Sequence, residues 1–261
     1  MKKRMRKVRY LLSAIAILTV FCGINAFAAD RDVDLAENTW AVKTDESFDT
    51  IDYKITIPST GYIKTNTYGL VYGKKTWMDI QFLDKNKQAI NENWPDLSSE
   101  THYYAVKKGV YYIRVPVSGQ TPYQYQLRYD FVKVSEKSGT KKSKAVTIKK
   151  NKTITGLIQS GEALKKYDWY KIKLTKAQKV TLSFTGYGTD YICYEVIPAN
   201  KKAEISLISL NSAAKEYSLN QTNKYKTFKK LAKGTYYIRV YKNTGGTAAK
   251  VDCGMYKIKW K

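Results

Sequence analysis

Gly109-Val-Tyr-Tyr-Ile-Arg-Val115 recurs as Gly234-Thr-Tyr-Tyr-Ile-Arg-Val240, identical at six of seven positions. Each copy follows an apolar residue and a lysine, in Val106-Lys-Lys108 and Leu231-Ala-Lys233. Upstream, Tyr53-Lys-Ile-Thr-Ile57 matches Tyr170-Lys-Ile-Lys-Leu174, and downstream Tyr125-Gln-Leu-Arg-Tyr129 matches Tyr256-Lys-Ile-Lys-Trp260. Three blocks in the same order in both halves predict two homologous domains. Within each block the period is two: Tyr111, Ile113 and Val115 share one face, while Tyr112 and Arg114 share the other. Val180, Leu182 and Phe184 alternate with Thr181 and Ser183 in the same way. Short runs rich in Thr, Tyr, Val and Ile, broken by Gly, Asn, Pro and Lys, predict antiparallel strands. A half-polar strand needs a facing sheet to bury its apolar side, so the expected fold is all-β: two tandem antiparallel β-sandwiches. Gly109 and Gly234 are expected at tight turns feeding the repeated strand.

Outward from these blocks, the chain divides into a leader at 1–29, a first domain at 30–133, a linker at 134–150 and a second domain at 151–261. Lys2, Lys3, Arg4, Arg6, Lys7 and Arg9 precede an apolar run from Leu11 to Phe21 and then Ala26-Phe-Ala-Ala29. That is the pattern of a secretory signal peptide, with the long basic n-region of a Gram-positive leader. An uncleaved anchor is the alternative, weakened by Gly23 and Asn25. The protein is therefore expected to be secreted or associated with the cell envelope, with no stable membrane span once the leader is removed. The segment 134–150 is polar and rich in Lys and Ser, without apolar periodicity.

An early Asp-Trp-Tyr strand, a late Gly-x-Tyr-Tyr-apolar-x-Val strand and a closing Tyr-x-apolar-x-aromatic strand resemble the bacterial pre-peptidase C-terminal domain. The second copy, with Tyr167-Asp-Trp-Tyr170, matches that pattern better than the first, which has Ile51-Asp-Tyr53. The resemblance implies compact, jelly-roll-like sandwiches in tandem, of the kind usually appended to secreted enzymes. It also implies calcium near the start of some such domains. Here Asp45, Glu46, Asp49 and Asp52 supply hard oxygen ligands at that place, without the turn glycine of an EF-hand loop. A solvated acidic loop is the plainer reading.

The 261 residues contain one histidine, His102, and three cysteines, which excludes a multi-histidine metal centre, a zinc ribbon or an iron–sulfur cluster. His102 is read as structural, and the protein as a non-enzyme with no required cofactor. After leader removal Cys193 and Cys253 remain, either as a disulfide of the second sandwich or as two packed thiols. Trp40, Trp77, Trp94 and Trp169 could form a sugar-stacking surface, but core or cross-strand packing is the more economical reading.

Charge is the strongest functional signal. Residues 30–131 carry a net −2, whereas residues 151–261 carry a net +14. The densest run, Lys224-Tyr-Lys-Thr-Phe-Lys-Lys-Leu-Ala-Lys233, brings together Lys224, Lys226, Lys229, Lys230 and Lys233. A domain this basic attracts polyanions at long range, and for an exported chain these are anionic cell-wall polymers or polysaccharides. Arg239 is the second domain's one arginine. That argues against nucleic acid, whose recognition favours arginine forks. The alternative function is an accessory module that binds a separately encoded secreted hydrolase or other protein.

Overall fold

The computed structural model describes residues 31–44, 50–71, 74–76, 80–90, 101–115, 124–135, 137–163, 166–187, 191–199, 207–211, 220–226, 230–242 and 253–261. The leader at 1–29 lies outside the described residues. Nine strands come from the first half: β1 (Arg31–Asp34), β2 (Ala41–Lys43), β3 (Ile51–Ile57), β4 (Gly61–Val71), β5 (Lys74–Thr76), β6 (Gln81–Leu83), β7 (Thr101–Val106), β8 (Gly109–Val115) and β9 (Gln124–Lys133). Nine more come from the second: β10 (Val146–Thr147), β11 (Thr153–Ile158), β12 (Asp168–Leu174), β13 (Thr181–Tyr187), β14 (Tyr191–Pro198), β15 (Leu207–Asn211), β16 (Asn220–Lys226), β17 (Gly234–Lys242) and β18 (Gly254–Trp260). A 3-10 turn at Lys142–Lys144 is the one helical element among the described residues. The chain is all-β, as its period-two pattern predicts.

In the first half, one sheet runs β1-β3-β8-β6 and the other β2-β9-β4-β5, with β7 also on β4. In the second, the sheets run β10-β12-β17-β14-β15 and β11-β18-β13-β16. Leaving out β5 and β15, the two halves share one strand order, and each opens on a short strand paired parallel to the early block. The repeated blocks are β3 and β12, β8 and β17, and β9 and β18. Ile55, Ile113, Ile63 and Leu127 pack between the first two sheets, and Ile172, Ile238, Phe184 and Ile258 between the second two. Each half is thus two sheets closed on one apolar core. Gly109 and Gly234 open the equivalent strands β8 and β17 at φ +158° and +155°. L side chains rarely adopt that backbone conformation, and nothing lies within 4 Å of a Cβ built on Gly234, so the backbone itself calls for glycine.

The Lys/Ser-rich segment expected as a linker is largely woven into the second sandwich. Gly139 bridges Trp169, Ala145 and Ile148 are buried, β10 extends the sheet beside β12, and the Trp260 indole donates to the Ile148 carbonyl at 2.9 Å. The two halves also touch. Cys253 and Leu157 of the second half pack against the first core, β7 lies against β18, and the Tyr103 and Tyr187 rings sit 4.8 Å apart.

Candidate functional site

Along β18 the core takes Tyr256, Ile258 and Trp260, so Lys257 and Lys259 stand half-buried on the opposite side, with Lys257 5.8 Å over the Tyr187 ring. Register extends this row across the sheet: Lys259 pairs with Thr153 on β11 and Ser183 on β13, and Ser183 pairs in turn with Lys224 on β16. Lys226 stands two residues on, opposite Thr181. Lys230 and Lys233 are exposed on either side of the Leu231–Gln178 bridge, and Lys229 lies outside the described residues. Two of the five lysines singled out in the sequence, Lys224 and Lys226, therefore lie on the edge strand of this sheet. Lys230 and Lys233 lie in the connection that leads to β17 of the opposite sheet, and the register adds Lys257 and Lys259.

The opposite sheet carries a different surface. On β12 and β17, Tyr170, Ile172, Tyr236 and Ile238 point into the core, which leaves Trp169, Tyr237, Arg239 and Tyr241 half-buried on the outer face. With Tyr167 they form a chain of rings: Tyr241 to Tyr167 at 5.3 Å, Tyr167 to Trp169 at 6.2 Å, Trp169 to Tyr237 at 6.5 Å. The Arg239 guanidinium lies 4.9 Å from the Tyr167 ring centre and 5.8 Å from that of Tyr241. Glu195 of β14, only 2% exposed, accepts from Arg239 and, at 2.8 Å, from the Tyr241 hydroxyl. Lys142 from the 3-10 turn reaches to 4.8 Å over Tyr237, and Lys171 and Lys173 continue the outer face of β12.

The first sandwich uses the same frame differently. Arg114, at the place of Arg239, is held by Asp52 of β3 through two bonds of 2.7 and 2.9 Å, and Lys87 adds a contact of 2.9 Å to the same carboxylate. Arg114 is the main cause that holds the Asp52 carboxyl below the ordinary 3.8; burial opposes it and Lys87 assists. Both oxygens of this proposed calcium ligand are thus engaged by cations. Asp45, Glu46 and Asp49 lie outside the described residues, as do Trp77 and Trp94. Arg128 lies 5.4 Å over the Trp40 ring, and His102 is buried on β7 opposite Thr65. Cys253 is fully buried, and the backbone places Cys193 on β14 opposite Tyr241 and Ser209.

The repeated tyrosines meet in each core. Tyr53 and Tyr125 join hydroxyls at 2.9 Å, and Tyr170 and Tyr256 at 2.8 Å, with both ring pairs 6.3 Å apart and near perpendicular. In the second sandwich the Tyr256 hydroxyl also donates to Asp168 at 2.5 Å, and Ser138 donates to the other carboxylate oxygen. Burial pushes the Asp168 carboxyl above 3.8, against the pull of these two donors. The Asp-x-Tyr spacing of the early block is thus the acceptor and partner for the closing tyrosine.

No family model and no curated protein matches the chain. Among solved structures, it is similar to the pre-peptidase C-terminal domain of collagenase from Bacillus anthracis, at 19% identity and a TM-score of 0.33, over 45% of this chain and 94% of that one. It is also similar to PliG, a periplasmic inhibitor of g-type lysozyme from Salmonella Typhimurium, at 19% identity and a TM-score of 0.28, over 45% of this chain and 97% of that one. The CUB1-EGF-CUB2 domains of rat MASP-1 align over 88% of this chain and 100% of theirs, at 10% identity and a TM-score of 0.27. These weak superpositions carry no weight for function, and the fold rests on the strand pairing itself.

Proposed function

We propose that this chain is an exported, non-catalytic binding protein of two tandem sandwiches of the pre-peptidase C-terminal type, attached to anionic cell-envelope or extracellular polymers through its basic second half. The leader pattern supports export. Burial of the chain's one histidine, His102, inside the first core supports a non-catalytic role. The observation that carries the reading is the lysine row: Lys257 and Lys259 alternate on the outer face of β18, in register with Lys224 and close to Lys226, within a half of net charge +14. Lysines at the free edge also discourage strand-to-strand aggregation. A blocked edge, however, does not call for lysines at the centre of the sheet, where β18 lies. The capture is electrostatic: each engaged lysine displaces counterions from the polymer.

The test is retention of the leaderless protein on teichoic-acid-bearing cell walls, beside a variant with Lys224, Lys226, Lys229, Lys230 and Lys233 all changed to Gln. Wild type is retained at low salt and released as salt rises, and the variant elutes earlier. Retention that ignores both salt and the five substitutions overturns the reading.

A further inference from the structure

We propose that the outer face of the β12–β17–β14 sheet is a saccharide-binding platform, and that the polymer captured by the second sandwich is an acidic polysaccharide whose sugar rings stack there. This rests on the capture reading above and adds to it a ligand class and a face. The half-buried rings of Tyr241, Tyr167, Trp169 and Tyr237 form an aromatic cluster on the outer face of this sheet, 5.3 to 6.5 Å apart and inclined at 59° to 79° to one another. Arg239 and Lys142 cover one face each of Tyr167 and Tyr237, and the Tyr241 hydroxyl is given to Glu195. The apolar C–H face of a pyranose therefore stacks on the Trp169 indole while the Tyr167 and Tyr237 hydroxyls reach its polar rim.

The first sandwich shows that the fold itself does not need these rings. Trp169 pairs with Arg239 on the neighbouring strand as Asp52 pairs with Arg114. There the acid that holds the arginine comes from β3, at the very position that Trp169 occupies in the second half. In the second sandwich the acid has moved to β14 as Glu195, which holds Arg239 from the other side and leaves β12 open to an indole. At the places of Tyr167 and Tyr241 the first half has Thr50 and Pro116, and of the four rings only Tyr237 has an aromatic equivalent, Tyr112. One strand order thus supports an ion-pair face in one copy and an aromatic face in the other.

Charge selects among sugars. Lys142 stands over Tyr237, and Lys171 and Lys173 lie beyond Trp169 on the same face, so carboxylates on a stacked sugar chain meet ammonium groups at its rim. The Arg239–Glu195 pair fixes the floor: Glu195 is buried and its oxygens are spent on Arg239 and Tyr241.

Binding of the leaderless protein to polygalacturonate and to polyglutamate, one a sugar polyanion and the other not, tests the proposal by titration. The variants are Trp169→Thr with Tyr237→Thr, both compatible with a strand, and Tyr167→Ser, which lies ahead of β12 and spares the sheet if the pair fails to fold. The expected result is an affinity for polygalacturonate weakened by about tenfold, or about 1.4 kcal/mol, with polyglutamate binding unchanged. If wild type and folded variants bind both polymers alike, the platform is overturned while electrostatic capture stands. If wild type binds neither polymer, both readings fall together.

Discussion

Removing one hydroxyl from each sandwich, as Tyr256→Phe and as Tyr125→Phe, should cost the second half far more than the first. The two rings occupy equivalent places and pack alike, each perpendicular to its partner at 6.3 Å, so the apolar part of the substitution is matched. Tyr125→Phe removes the hydrogen bond to Tyr53, worth about 1 kcal/mol net. Tyr256→Phe removes the bond to Tyr170 and also the one to the buried Asp168 carboxylate, and bonds to charged groups are worth about 1.5–3 kcal/mol. The expected loss is therefore about 3 kcal/mol in the second sandwich against about 1 kcal/mol in the first. Native-state hydrogen exchange reads each half separately, through the amides of β12 and β18 and those of β3 and β9. Equal losses, or a larger loss for Tyr125→Phe, would refute the role given to the Asp168 bond. Gly156 offers a companion test. A Cβ built there would come within 2.1 Å of the Tyr256 ring, so Gly156→Ala should displace that ring and lower the same β12 and β18 protection.

Further outcomes follow from the same geometry. Asp168 has a folded-state pKa raised by burial, so its contribution to stability is greatest below 3.8 and declines as pH rises through the raised value. Asp168→Asn should remove that slope from the second half's pH–stability curve. Asp52 has the opposite shift: its contribution is present above 3.8 and is lost as pH falls through the lowered value. Arg114→Gln leaves Asp52 buried with Lys87 alone and should cost about 3 kcal/mol by urea denaturation at neutral pH. A fragment of residues 134–261 should unfold more cooperatively in calorimetry than one of 151–261. The shorter piece lacks the Ser138 donor to Asp168, the Gly139–Trp169 bridge and the buried Ile148, and equal melting of the two would show that these contacts contribute nothing.

The strands, the turn glycines and the duplicated plan could be read directly, because strict alternation leaves only one way for Tyr111, Ile113 and Val115 to share a face. The repeated tyrosines could be aligned but not explained, since a hydroxyl pair across 72 or 86 residues leaves no local pattern. The second half's acid was invisible for a related reason. Glu195 lies in no repeated block, and only strand order reveals that it replaces Asp52 as the partner of the arginine. Trp169 and Tyr170 are adjacent, so one must face the core and the other solvent. Composition favoured burying both, whereas the Tyr170–Tyr256 pair settles which one turns in. The segment 134–150 read as a linker because a two-residue parallel strand and two buried side chains, Ala145 and Ile148, are too few to impose a period.

Electrostatic capture is tested most directly by the salt dependence of the leaderless protein's affinity for soluble teichoic acid, measured for wild type and for Lys257→Gln with Lys259→Gln. Log affinity is expected to fall linearly with log salt. If each lysine displaces counterions as on a single-stranded polyanion, the double variant should lower the slope by about 1.4. An affinity that ignores salt, or a slope that both substitutions leave unchanged, would contradict capture by the lysine face.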